Sequence, residues 1–101
     1  MKYDLEERTS KFAEKIVLLS IAISKNVVTT PIVSQLVRSG TSVGANYFEA
    51  NGASSKKDFR NKICICKKEI QETRYWLRIL LTAVPAHKNQ IAIITDEARQ
   101  L

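Results

Sequence analysis

Apolar residues recur along this chain at spacings of three and four, the period of an α-helix with one buried stripe. Phe12, Ile16, Leu19 and Ile23 form the first such seam and predict a helix over about residues 5 to 24. Asp4, Glu6 and Glu7 suit the positive end of its dipole, and Lys25 and Asn26 its C-terminal end. Val33, Leu36, Gly40, Val43 and Tyr47 make a second seam, running to about residue 50. It is introduced by Thr30-Pro31, read as an N-cap followed by proline at the first helical position. Asn51-Gly52 predicts a left-handed stop. The third seam is the most regular: Phe59, Ile63, Cys66, Ile70, Thr73, Leu77 and Leu80 alternate four and three, after a cap at Ser54 or Ser55 and before Pro85. Ile91, Ile94, Ala98 and Leu101 continue the spacing in a fourth helix from near Lys88, which reaches the last residue without a stop signal. Either that helix is short or the natural product continues.

The break between the second and third helices, Asn51-Gly52-Ala53-Ser54, is short enough to force them back on each other. Four seamed helices with short connections predict an all-α fold, an antiparallel up-down-up-down four-helix bundle, as a single domain over residues 1–101. Two departures from a simple seam add to this. Val17, Leu18, Ile21 and Ala22 fill much of the first helix outside its stripe, so that half needs two helical partners, or one partner and another subunit. Gly40 and Gly44 each cost about 1 kcal/mol relative to Ala inside a helix, which close approach of a neighbouring helix would offset.

Composition narrows the class. Of 101 residues 45% are apolar, with three Gly and two Pro, which excludes a disordered chain. A core of this size is small, so oligomerisation would help it. No apolar run approaches the roughly 20 residues of a membrane span. The N-terminal Lys2-Tyr3-Asp4-Leu5-Glu6-Glu7 is acidic where a signal peptide would be positive. Cys64 and Cys66 point about 200° apart on a helix and cannot readily pair, which fits a reducing, cytoplasmic location. The net charge of +6 favours anionic partners.

Helix three sorts its charges by side. Lys56, Arg60, Lys67, Arg74 and Arg78 fall within about 40° on one flank, a stripe about 33 Å long at 1.5 Å per residue. Such a track suits a nucleic-acid backbone. A solvated face with pairs one turn apart is the plain alternative, weakened because acids are largely absent from that flank. Asp58, Glu69 and Glu72 lie on the other flank with Ile65, Trp76 and Ile79. A polar line on helix two includes Ser39, Ser42, Asn46 and Glu49. Ser42, Asn46, Glu49, Glu69, Glu72 and Trp76 are therefore expected to form a structural polar network between the helices or across a subunit boundary.

No reaction centre emerges, and the expectation is a protein that is not an enzyme, with no catalytic residue, cofactor or metal. His87, the lone histidine, sits in a turn, without the Glu-x-x-His pairs of di-iron bundles. No arginine precedes it at the spacing used by Arg-x4–6-His helical RNases. Ser39 and Ser42 lack an activating histidine, and Cys64 and Cys66 lack two further zinc ligands. There is no glycine-rich phosphate loop, and the helices are too long for a helix-turn-helix reader.

The block from Gln35 to Ala50, QLVRSGTSVGANYFEA, and the block from Lys57-Asp58-Phe59 through Lys67-Lys68-Glu69-Ile70-Gln71-Glu72-Thr73-Arg74-Tyr75-Trp76-Leu77 resemble a known bacterial family. It is that of the four-helix-bundle proteins first found in intervening sequences of 23S ribosomal RNA genes, which includes the accessory variability proteins of diversity-generating retroelements. The resemblance spans roughly residues 30 to 98 and rests on Arg38, Ser42, Asn46, Glu49, Asp58, Phe59, Glu69, Glu72 and Trp76 together. It implies an antiparallel four-helix bundle assembled as a homopentamer. In the retroelement branch it implies binding to a reverse transcriptase and to nucleic acid through basic surface. The intervening-sequence branch brings no established activity, and no catalytic residue carries over. Relatives usually have a longer fourth helix, and many have proline at the position of Gly44, so the resemblance does not carry a kink in helix two over to this chain. Two functions of different class follow: a nucleic-acid-binding accessory protein, RNA or DNA, and a protein-interaction scaffold whose basic face meets an acidic protein.

Overall fold

The computed structural model describes residues 4–101; Met1, Lys2 and Tyr3, part of the acidic N-terminal segment discussed above, lie outside the described residues. Four α-helices follow one another: α1 (Leu5–Ala22), α2 (Thr29–Asn51), α3 (Lys56–Ala83) and α4 (Lys88–Gln100), with a 3-10 turn at Pro85–His87. Among the described residues there is no strand. The 28 residues of α3 span about 42 Å at 1.5 Å per residue, which sets the 44 Å long dimension of the molecule.

Each boundary has a local cause. Asp4 caps α1, its carboxylate accepting from the Glu7 amide at 3.1 Å. The helix ends at Ala22, two residues before the expected Ser24, because Ile23 is extended and the Lys25 ammonium donates to the Ser20 and Ile23 carbonyls, 2.8 Å each. Thr30 is not the cap of α2: the helix begins at Thr29, and Asn26 Oδ1 accepts from the Val28 and Thr29 amides, 2.8 Å each. Pro31 still falls in the first turn, where a missing N–H costs nothing. The stop at Gly52 is not left-handed. Its φ is −96°, and amides 52 and 53 bond to the Glu49 and Ala50 carbonyls at 3.1 Å, tightening the end into a 3-10 turn. Ser55, the second of the two expected candidates, caps α3, accepting from the Asp58 amide at 3.0 Å.

The seams meet in one core. Phe12, Ile16 and Leu19 of α1 and Ile23 just after it are buried with Val33, Leu36 and Val43 of α2, Leu77 and Leu80 of α3, and Ile91, Ile94 and Ala98 of α4. Gly40 and Gly44 are where α1 lies closest: a Cβ at Gly40 would overlap Ile16, and one at Gly44 would sit 3.3 Å from Thr9 Oγ1. The close approach expected from these glycines is thus to α1. Between α2 and α3, the buried Ser39 and Thr73 hydroxyls lie 2.9 Å apart, and the Cys66 thiol donates to the Val43 carbonyl at 3.5 Å. Burial pushes that thiol up from its ordinary range; Cys64 is exposed, and both cysteines are free.

Two stretches of seam are less covered than their spacing implies. Phe59 is 40% exposed and Ile63 only half-buried. The 13 residues of α4 span about 20 Å from the far end of α3, so among the described helices α2 is the main neighbour of the first turns of α3. On α1, Val17, Leu18, Ile21 and Ala22 are exposed, because among the described residues a single chain offers that helix only α2 and α4 as neighbours. Leu18 is 63% and Ile21 72% exposed.

Candidate nucleic-acid interface

Lys56, Arg60, Lys67, Arg74 and Arg78 are all exposed on α3. Among the described residues none of the five makes an ion pair; Arg74 donates only to Gln71 Oε1, one turn back on the same helix, at 3.1 Å. Two carboxylates of α3, Glu69 and Glu72, are occupied at the α2 contact instead. Arg38 donates from Nη1 to the Glu69 carboxylate at 3.4 Å and from Nη2 to Glu72. The Trp76 indole N–H donates to the same Glu72 carboxylate at 3.1 Å. Both carboxylates are thereby engaged beside α2 by one guanidinium, away from the outer flank of α3, which keeps its positive charge.

The single network expected over Ser42, Asn46, Glu49, Glu69, Glu72 and Trp76 is replaced by separate groups. Glu69, Glu72 and Trp76 gather on Arg38. Ser42 and Asn46 turn to their own helix, Ser42 Oγ donating to the Arg38 carbonyl at 2.6 Å and Asn46 Nδ2 to the Ser42 carbonyl at 2.8 Å. Glu49 lies about three turns beyond Arg38 on α2 and pairs with Lys62 at 2.9 Å, largely exposed. An exposed pair of that kind stabilises little, so Glu49 is not a buried charge in need of a partner. Arg38 and Lys62 were missing from the expected set. Arg38 had a signal: it is the lone cation between Thr29 and Asn51, so it alone on α2 could answer Glu69 and Glu72.

Arg38, then the Trp76 N–H, hold the Glu72 carboxyl below its usual range. A depressed carboxyl stabilises the fold above the unfolded value, near pH 4.3, and this is lost as pH falls below it. Solvent reaches both partners, which limits the effect to about 1 kcal/mol. Arg38→Met should flatten the loss of thermal stability between neutral pH and about pH 3.5. Melting curves for parent and variant that fall in parallel with pH would count against this role of Arg38.

Among the described residues no three His, Cys, Asp or Glu side chains converge to hold a metal, and no helix is long and apolar enough to cross a membrane. His87 is half-buried in the 3-10 turn.

A crystal structure of a protein of unknown function from the S23 ribosomal protein family of Bacteroides thetaiotaomicron is similar to this chain, with 35% identity, a TM-score of 0.84, and coverage of 96% of this chain and 90% of that one. No curated protein matches the sequence significantly. The family model for the 23S rRNA-intervening sequence protein matches residues 1–101. With its two motif blocks joined through Arg38 to Glu69 and Glu72, the chain belongs to the 23S rRNA-intervening sequence protein family.

Proposed function

We propose that this protein is a non-enzymatic, cytoplasmic, oligomeric helical bundle that binds the backbone of RNA or DNA through the outer flank of α3. The observation that carries this reading is the exposure of Lys56, Arg60, Lys67, Arg74 and Arg78 without ion-pair partners among the described residues, while Glu69 and Glu72, on the opposite flank of α3, pair with Arg38. A stripe of unneutralised cations attracts phosphates and reads no sequence. An antiparallel up-down-up-down bundle is part of this reading; the short connections support it, as do the pairs 39 with 73, 43 with 66 and 49 with 62, which rise along α2 as they fall along α3.

The oligomer is a homopentamer, as the family resemblance implies, and the exposed Val17, Leu18 and Ile21 of α1 supply apolar surface for it. Several copies in a ring would join the stripes into a positive band. The test combines two measurements on the parent protein. Sedimentation equilibrium at micromolar concentration should give the mass of an oligomer, and a clean monomer would overturn the assembly. Fluorescence anisotropy with labelled RNA and DNA of unrelated sequence should show similar affinities that fall steeply with salt. Failure to bind either at low salt leaves the scaffold reading, in which the same face meets an acidic protein.

A further inference from the structure

The two C-terminal arginines of the stripe also line one wall of an open groove between α3 and α4. Its volume is about 540 Å³, and its lining includes Gln71, Arg74, Tyr75 and Arg78 from α3, and Thr95 and Arg99 from α4. The groove is thus lined by three guanidinium groups and no carboxylate, among the described residues. Arg99 has only an exposed contact with Asp96, at 3.5 Å, which a phosphate can displace. Tyr75 is 56% exposed, and its ring packs edge-on with Trp76, centroids 5.1 Å apart, which limits its motion.

We infer that this groove is a seat for single-stranded nucleic acid, with Arg74, Arg78 and Arg99 on the phosphates and one unstacked base on the Tyr75 ring. This rests on the nucleic-acid reading of the stripe and deepens it. Arg74 and Arg78 are one turn apart, about 6 Å along the helix, and Arg99 faces them from α4, so cations border the groove on both sides. Phosphates alone would be met equally well in a duplex. An exposed aromatic ring beside them gains only from a base free of its neighbours, because base-paired, stacked bases do not present their faces.

The test compares binding of a labelled oligouridylate and of an RNA duplex of the same length, by anisotropy. The variants are Tyr75→Leu, Arg99→Gln and, on the stripe away from the groove, Lys56→Gln/Arg60→Gln. Tyr75→Leu should weaken the single strand about tenfold and leave the duplex within about twofold. Arg99→Gln should act in the same direction, and the stripe variant should weaken both ligands. Melting curves matching the parent show that each variant is folded, as expected for exposed positions. If Tyr75→Leu and Arg99→Gln leave single-strand binding unchanged while the stripe variant weakens it, the groove inference is overturned and the stripe reading stands. If the parent binds neither ligand at low salt, both fall.

Discussion

Replacing Phe12 by alanine is expected to cost about 3–5 kcal/mol of stability. Phe12 is 1% exposed and packs in the core shared by all four helices. Its removal loses the transfer energy of a large ring and leaves a cavity that neighbours such as Ile16 and Leu19, themselves fully buried, cannot easily refill. A domain of this size holds only about 5–15 kcal/mol in total, so the loss is a large fraction of it. The melting temperature should drop by about 15 °C or more, read by circular dichroism. Phe48→Ala is the internal comparison. Phe48 is 69% exposed, so within one chain its loss should stay inside about 0.5 kcal/mol. A drop for Phe12→Ala no larger than for Phe48→Ala would mean that the core is not centred on Phe12. A large drop for Phe48→Ala would place that ring at a contact between copies.

The second large effect is on binding. Arg60→Gln, Lys67→Gln and Arg74→Gln together should weaken RNA and DNA of every sequence alike, on the order of 100-fold near 0.1 M salt. Each lost phosphate contact removes roughly 0.9 from the slope of log affinity against log salt on duplex DNA and roughly 0.7 on a single strand, so the slope should flatten by about 2.7 or about 2.1 if all three touch phosphates. The three side chains are exposed and make no ion pairs among the described residues, so the fold should survive. If Arg74 instead pairs across a subunit boundary, the triple variant will dissociate rather than merely lose affinity. Oligomer mass and salt-dependent binding must therefore be measured on the same sample. An intact oligomer binding as tightly as the parent at all salt concentrations would end the nucleic-acid assignment of this stripe.

How far the sequence could be read depended on whether a feature is local. The number of helices, their order, the cap at Ser55 and the stop before Pro85 were legible, because caps and proline act within one or two turns. Thr30 and Gly52 misled for a related reason. Asn26 accepts from the Val28 and Thr29 amides and so starts the helix before Thr30, and Gly52 accepts a 3-10 ending although it is free to take a left-handed one. The segregation of cations on α3 was also legible, since a helical wheel needs nothing outside the helix.

What lies between helices was not legible from spacing. Ser39 looked like part of a polar line and Thr73 like a seam position, yet they are a buried pair of hydroxyls whose meeting depends on the register of α2 against α3. The same register gives Glu49 to Lys62 and Glu69 with Glu72 to Arg38, dividing a network that a list of polar residues had joined. It is also the tertiary structure that brings Arg99 of α4 opposite Arg74 and Arg78, across a groove to which no single helix contributes both walls. The periodicity of side chains along one helix is a property of 3.6 residues per turn and belongs to the sequence alone. Which side chains face each other across two helices depends on their relative sliding and rotation, and only the packed core determines those.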